Sequence, residues 1–246
     1  TKISTKISNT DSIAILLNGG KICYDVKLTK RIVMRFEAFI CDLDNTLYDE
    51  NIFLKAICES FCHRYGCDIQ LINTILDDNF RLHSKDIFGD WLKSFDFYTS
   101  QKQEELFSLY QSMPTSLQLY DDAKDFLNLL QTKNIKYGIL TNGDIKAQSH
   151  KISLLGLKNI PIVYARAYGK EYEKPHISAF HRILEILQLS PQSCAFIGDN
   201  PTTDIKGANN AGIYSIWLKR RYGRLIPCDY ASLSITNFKE LRELQI

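Results

Sequence analysis

Two aspartates one residue apart, Asp42 and Asp44, follow the apolar run Ala38-Phe-Ile-Cys41. Such a run reads as a strand buried on both faces of a parallel sheet. Ligands of open parallel sheets bind beyond the carboxyl ends of the strands, and both carboxylates would stand at that edge. Carboxylates this close repel each other unless a cation or a shared proton intervenes. The pair therefore asks for a metal ion or for proton chemistry. Three later segments place polar groups at strand ends. Thr141-Asn142-Gly143-Asp144 sets a hydroxyl, an amide and a glycine at a helix start, which makes an anion site. Gly198-Asp199 and Asp204 add carboxylates, and Glu173-Lys174-Pro175 supplies an ammonium. Taken singly, each has a plainer reading. Thr141 and Asp144 fit a helix cap, Lys174 a surface lysine, and Asp204 a local pair. Together they form an acid cluster balanced by one lysine and a divalent cation. That suits a phosphoryl group, whose charge is spread over three oxygens.

The surrounding chain must hold these groups together. After Pro114 the pattern alternates. Helices are expected at 121–133, 144–155, 176–189, 202–211 and 237–244, and strands at 135–140, 162–165, 194–197 and 213–218. Strands alternating with helices of this length imply a parallel sheet with helices on both faces. Residues 49–114 read as an all-helical insertion. One helix runs over 51–64 and ends at Gly66. Asp68 caps a second, reaching Phe80, and shorter pieces cover 86–95 and 100–111. Residues 1–33 read as an appended β-hairpin, with Ser12 to Leu17, the turn signal Asn18-Gly19-Gly20, and alternation at Ile22, Tyr24, Val26 and Leu28. The core domain would then comprise 34–48 and 115–246.

A length of 246 residues with 45% hydrophobic and 24% charged residues fits a globular domain with an insertion. A net charge of +2 gives no general electrostatic case for nucleic acid or membrane surfaces. No run approaches a membrane span, and the N-terminal residues lack the apolar core of a secretory signal. Seven cysteines, an odd count, fit free thiols in a reducing, cytoplasmic compartment. Cys58, Cys62, His63 and Cys67 lack tight zinc-type pairs and read as a packed helix face. The basic run Lys219-Arg-Arg-Tyr-Gly-Arg224 reads as a solvated loop, or else as a rim attracting phosphate.

Asp42-Leu-Asp44-Asn-Thr46, Thr141, Lys174-Pro175 and Gly198-Asp199-x-x-x-x-Asp204, in this order, resemble the four motifs of the haloacid dehalogenase superfamily. The resemblance implies an α/β, Rossmann-like parallel sheet carrying an all-helical cap insertion. It implies that Asp42 is the nucleophile, forming an aspartyl-phosphate, and that Asp44 is the acid and then the base. Mg2+ would be held by Asp42, the backbone carbonyl of Asp44, and Asp199, with Asp204 supporting that shell. Thr141 and the Asn142 backbone would hold phosphoryl oxygens, Lys174 would bridge nucleophile and phosphate, and Thr46 would support the loop. Gln148, Lys151, Leu155-Gly-Leu157 and Asp204-Ile-Lys-Gly-Ala208 are similar to the branch holding N-acylneuraminate-9-phosphate phosphatases and bacterial pyrimidine 5′-nucleotidases. The implied activity is hydrolysis of a small phosphorylated metabolite, a sugar phosphate or nucleotide. The alternatives are a phosphomutase, for which Arg81, His83 and Lys93 offer a second phosphate site, and a non-catalytic partner-binding protein on this scaffold. A dehalogenase has no leaving oxygen for Asp44 to protonate.

Overall fold

The computed structural model describes the backbone of residues 5–7, 12–17, 20–25, 32–33 and 35–244, and the side chains of residues 35–241. Near the N-terminus, β1 (Thr5–Ile7), β2 (Ser12–Leu17), β3 (Gly20–Asp25) and β4 (Ile32–Val33) form an antiparallel sheet in that order. In the β2–β3 pair, Leu17 stands opposite Gly20. The Asn18-Gly19 turn, Val26, Leu28 and Met34 lie outside the described residues.

The main sheet holds β5 (Ala38–Cys41), β6 (Lys136–Thr141), β7 (Ile162–Tyr164), β8 (Cys194–Gly198), β9 (Tyr214–Leu218) and β10 (Leu233–Ile235). Their order is β10-β9-β8-β5-β6-β7, and every pairing is parallel. The helices are α1 (Glu50–Tyr65), α2 (Ile72–Leu76), α3 (Asp78–His83), α4 (Ile87–Lys93), α5 (Ser100–Ser112), α6 (Asp121–Thr132), α7 (Ile145–Leu154), α8 (Ile177–Leu187) and α9 (Lys206–Asn210). The two-residue period of a strand splits the core. Phe39 and Cys41 of β5 face one cluster with Phe126, Leu130 and Phe238. Ala38 and Ile40 face the other, with Phe180, Ile183 and Ala208. Both faces are thus covered, as a parallel sheet requires.

β5 is central, flanked by β6 and β8, and the strand order reverses around it. Loops that leave neighbouring strands in opposite directions open a crevice at such a switch point. Asp42 follows β5, Asn142 follows β6 and Asp199 follows β8, so the topology alone brings three of the four motifs to one edge.

The helical insertion differs from its expected outline. The helix expected from Asp68 to Phe80 is broken into a 3₁₀ turn, α2 and α3. Asp77 interrupts it with an extended ψ of 129°, and its carboxylate accepts from the Phe80 amide to start α3. A capping aspartate competes with the helix interior, and here it wins. The stretch 202–211 begins as a π turn over Pro201–Ile205 before α9, and 238–244 is 3₁₀ rather than α. β10 (Leu233–Ile235) was not among the strands expected from the sequence. Among the described residues no helix is long and apolar enough to cross a membrane. Cys58 and Cys62 are buried among Phe61, Ile57 and Trp91, and the six cysteines of described side chains carry free thiols.

The basic run after β9 is not a solvated loop. Arg220 is half-buried against Asp122 and donates to the Thr46 carbonyl at 3.0 Å. Arg221 reaches Asp78 at 3.2 Å and Asp49 at 3.7 Å, and Arg224 reaches Asp78 at 3.6 Å. The run therefore docks the end of the sheet onto the inserted helices. Its three arginines meet protein carboxylates, while Lys219 is exposed over the Trp217 ring.

Candidate active site

Asn45 begins the geometry that matters. It adopts φ 57°, the left-handed region that Asn tolerates better than most residues. That turns the chain back after Asp44, and the Asn45 side chain accepts from the Glu50 amide at 3.3 Å. Thr46 is then buried beneath Asp42. Its hydroxyl donates to Asp42 Oδ2 at 3.3 Å and accepts from the Asp199 amide at 3.1 Å. One threonine thus ties the β5 loop to the β8 loop.

Lys174 enters from the loop before α8. Its Nζ lies 2.5 Å from Asp42 Oδ1 and 2.7 Å from Asp204 Oδ1, and all three groups are buried. The Asn142 side chain holds that loop in place. It accepts from the Lys174 amide at 2.8 Å and donates to the Lys174 carbonyl at 3.0 Å. The sequence offered only the Asn142 backbone a role, whereas its side chain turns out to clip the lysine loop. The helix expected at 176–189 is α8, which begins at Ile177 with His176 as its cap.

Oxygens of Asp42, Asp199 and Asp204 lie within 4.8 Å of one another. Three carboxylates against the single Lys174 ammonium leave a formal charge of −2 at this point. Asp204 has both oxygens engaged, Oδ1 by Lys174 and Oδ2 by the Asn200 amide at 3.0 Å. Asp199 Oδ2 is buried with no partner among the described residues. An orphaned buried carboxylate oxygen in a doubly negative cluster fits a hard divalent cation, which takes oxygen ligands. Titration follows the same physics. Burial pushes the Asp42 carboxyl up to about 7, with Asp204 and Asp44 adding to it and Lys174 opposing. Burial, then Asp204 and Asp42, raises Asp199 well above the usual carboxylate range. Burial works against the Lys174 ammonium, but the two carboxylates outweigh it and its pKa rises.

Asp44 points elsewhere. Its Oδ1 accepts from the Tyr48 hydroxyl at 2.5 Å and from Lys151 Nζ at 2.8 Å, and its Oδ2 from Gln148 Nε2 at 2.7 Å. The same Gln148 nitrogen is 2.6 Å from the Thr141 hydroxyl. Asp42 and Asp44, adjacent in the motif, therefore occupy separate electrostatic surroundings. Arg81 is buried against Glu50 and donates to Asn51 at 2.6 Å. Lys93 is exposed beside Asp90, and the His83 ring contacts the Asn79 carbonyl. Arg81, His83 and Lys93 thus each have local partners.

Two glycines are set by lack of room. A Cβ on Gly198 would stand 2.4 Å from Asp204 Oδ2, so the glycine admits that carboxyl rather than merely turning the chain. A Cβ on Gly223 would stand 2.3 Å from the Asp199 carbonyl, where nothing flexible can yield. Gly223→Ala is expected to lower Tm by roughly 2–10 °C. It should also weaken divalent-cation binding, because relief of the clash must shift Asp199. A calorimetric Tm and cation affinity both at wild-type values would refute this.

Comparisons with known proteins bear on the family and the fold. The chain is 33% identical to N-acylneuraminate-9-phosphatase of Mus musculus over 121 residues, 48% of each chain, so the match spans about half that relative's length. It is 26% identical to glyceraldehyde 3-phosphate phosphatase of Pyrococcus furiosus over 233 residues, covering 85% of this chain and 93% of the relative. Among solved structures, the magnesium-bound HAD-hydrolase YfnB of Bacillus subtilis superposes with a TM-score of 0.68 at 22% identity. That superposition covers 86% of this chain and all of YfnB. L-2-haloacid dehalogenase from Xanthobacter autotrophicus gives a TM-score of 0.61 at 17% identity, over 85% of this chain and 98% of that one. Residues 36–212, from the approach to β5 to the turn before β9, match one family and enclose every member of the acid–lysine centre: the chain belongs to the haloacid dehalogenase-like hydrolases.

Proposed function

We propose that the protein is a magnesium-dependent phosphomonoester hydrolase acting on a small phosphorylated metabolite through an aspartyl-phosphate intermediate. The observation that carries this reading is the buried cluster of formal charge −2 with one carboxylate oxygen unpartnered, at the carboxyl edge of the sheet. Such a centre suits a divalent cation and a phosphoryl dianion together, and it suits a neutral ligand poorly. The phosphatase names of the mouse and Pyrococcus relatives support it.

Asp42, Asp199 and the backbone carbonyl of Asp44 would hold the ion. When bound, the ion would supply positive charge that offsets the charge on the phosphoryl oxygens. Asp42 attacks phosphorus, which breaks the bond to the leaving oxygen and forms an acyl phosphate. Lys174 balances charge beside the attacking carboxylate, and Asp204 keeps Lys174 in place. The Thr141 hydroxyl offers the phosphoryl group a donor. Asp44 protonates the leaving oxygen and then takes a proton from the water that releases phosphate. Residues 49–114 act as the cap over this centre, on a core of 34–48 and 115–246, in a reducing cytoplasm that suits its free thiols. A mutase would need a cap cation free for a second phosphate, and Arg81 is already committed to Glu50.

The test is phosphate release from sugar phosphates, nucleotides and phosphoglycolate, with magnesium and with EDTA. Release that requires magnesium is expected from at least one of them. Release unaffected by EDTA, or none from the whole panel, would overturn the reading. Isomerised phosphoester without free phosphate would make it a mutase.

A further inference from the structure

Lys151 is fully buried, yet neither the phosphoryl group nor the cation needs an ammonium at its position on α7. Burying an unpaired ammonium costs several kcal/mol, so its partners carry information. An ammonium has three N–H donors. Lys151 points them at Asp44 Oδ1 (2.8 Å), Glu50 Oε1 (3.0 Å) and the Tyr110 hydroxyl. Asp44 belongs to the loop after β5, whereas Glu50 opens α1 and Tyr110 lies on α5, both in the helical insertion. Arg81 of α3 engages the second Glu50 oxygen. Asp44 and Glu50 against Lys151 and Arg81 make two negative and two positive charges. Unlike the Asp42 cluster, this group has no charge left for a ligand.

The arrangement is a relay of position. Glu50 and Tyr110 determine where the Lys151 ammonium sits, and the ammonium determines where the Asp44 carboxyl sits. Tyr48 and Gln148 complete the hold on Asp44, but they come from the sheet side of the molecule. Among the described residues, Lys151 is the side chain that bonds Asp44 and the inserted helices at once. The same seam is closed nearby by Gln111 on Asp144 (3.0 Å) and His150 on the Met113 carbonyl (2.8 Å).

We propose that Lys151 is a positioning residue for Asp44, and that the docked helical insertion, through Glu50 and Tyr110, is what makes it one. The inference rests on Asp44 being the acid in the proposed hydrolysis. It predicts a dependence on the leaving group. An alkyl phosphomonoester needs its leaving oxygen protonated, and p-nitrophenyl phosphate scarcely does. The comparison uses kcat/KM, which reports the steps up to departure of that group.

Lys151→Met should lower kcat/KM for the best alkyl substrate by about 10²-fold, as for a misplaced catalytic group. On p-nitrophenyl phosphate it should lower it by no more than about 5-fold, since that leaving group asks little of an acid. Tyr110→Phe, which removes one hydroxyl and no charge, should shift the same ratio about 3- to 10-fold in the same direction, the weight of one hydrogen bond. Equal losses on both substrates in these variants would mean a merely structural role and would overturn the proposal. Where Lys151→Met does not fold, Tyr110→Phe decides alone. Asp44→Asn separates the two levels of the argument. If it discriminates between the substrates and the other variants do not, only the positioning role falls. If Asp44→Asn itself lowers both substrates equally, the acid reading falls and takes Lys151 with it.

Discussion

Asp42→Asn is expected to bring turnover to background, a fall on the order of 10⁴-fold or more, because no other carboxylate stands ready to attack. The same substitution should raise the Tm of the metal-free protein at pH 8 by several degrees. Asn keeps the size and the hydrogen-bonding oxygen but removes one of three carboxylates that share a single lysine. The pH dependence follows from linkage. In the fold Asp42 titrates near 7, against an ordinary value of 3.8. Between those values the folded, metal-free chain binds a proton that the unfolded chain has released, so stability falls as pH rises through that window. Above it, the cost is fully present and Asn removes it. At pH 4 the advantage of the variant should vanish. Turnover near wild type would move the nucleophile elsewhere, and a lower Tm at pH 8 would refute the charge account. Magnesium should reverse the order of stability, since it stabilises the wild type through the carboxylate that Asn lacks.

What the sequence disclosed, and what it withheld, divides by the range of the interaction. Strand β5 was legible because an apolar run before two aspartates is local, and its burial on both faces follows from that run being unbroken. The convergence of Asp42, Thr141 and Asp199 was legible because parallel topology sends the strand ends to one edge, whatever the side chains, whereas Lys174 arrives on the loop before α8. The break at Asp77 was not, since one cap was read where two act: Asp68 caps the 3₁₀ turn and Asp77 caps α3. The clip of Asn142 on Lys174 joins residues 32 apart in sequence. The docking of Arg221 and Arg224 onto Asp78 spans a still longer separation. A run of arginines carries no sign of which carboxylates will meet it. Lys151 stood in the sequence as part of a resemblance, with no chemistry attached. Its meaning appeared only when Glu50 and Tyr110, from opposite ends of the insertion, met it at one point.

Lys174→Met should be the most destabilising single change in the centre. Lys174 is the ammonium that contacts both Asp42 and Asp204, while Asp199 already holds an unpartnered oxygen beside them. Breaking a buried pair by removing one partner costs about 3–5 kcal/mol, which for a chain of this size is a Tm loss of roughly 6–20 °C. The loss should depend on pH in a stated direction. In the wild type the Lys174 pKa is raised, so its contribution is complete throughout pH 5 to 8 and would decline only in strong base. In the variant the three carboxylates face one another without a cation, and their protonated forms gain. Between about 4 and the raised values of those carboxylates, the folded variant binds more protons than its unfolded chain, so its stability falls as pH rises through that window. The Tm gap between wild type and variant should therefore be smaller at pH 5 than at pH 8, and saturating magnesium should narrow it at pH 8 by replacing part of the lost positive charge. Activity should fall by about 10²- to 10³-fold even with magnesium bound, because the attacking carboxylate and the developing charge lose a fixed donor. A Tm gap independent of pH and of magnesium would show that Lys174 contributes packing rather than charge.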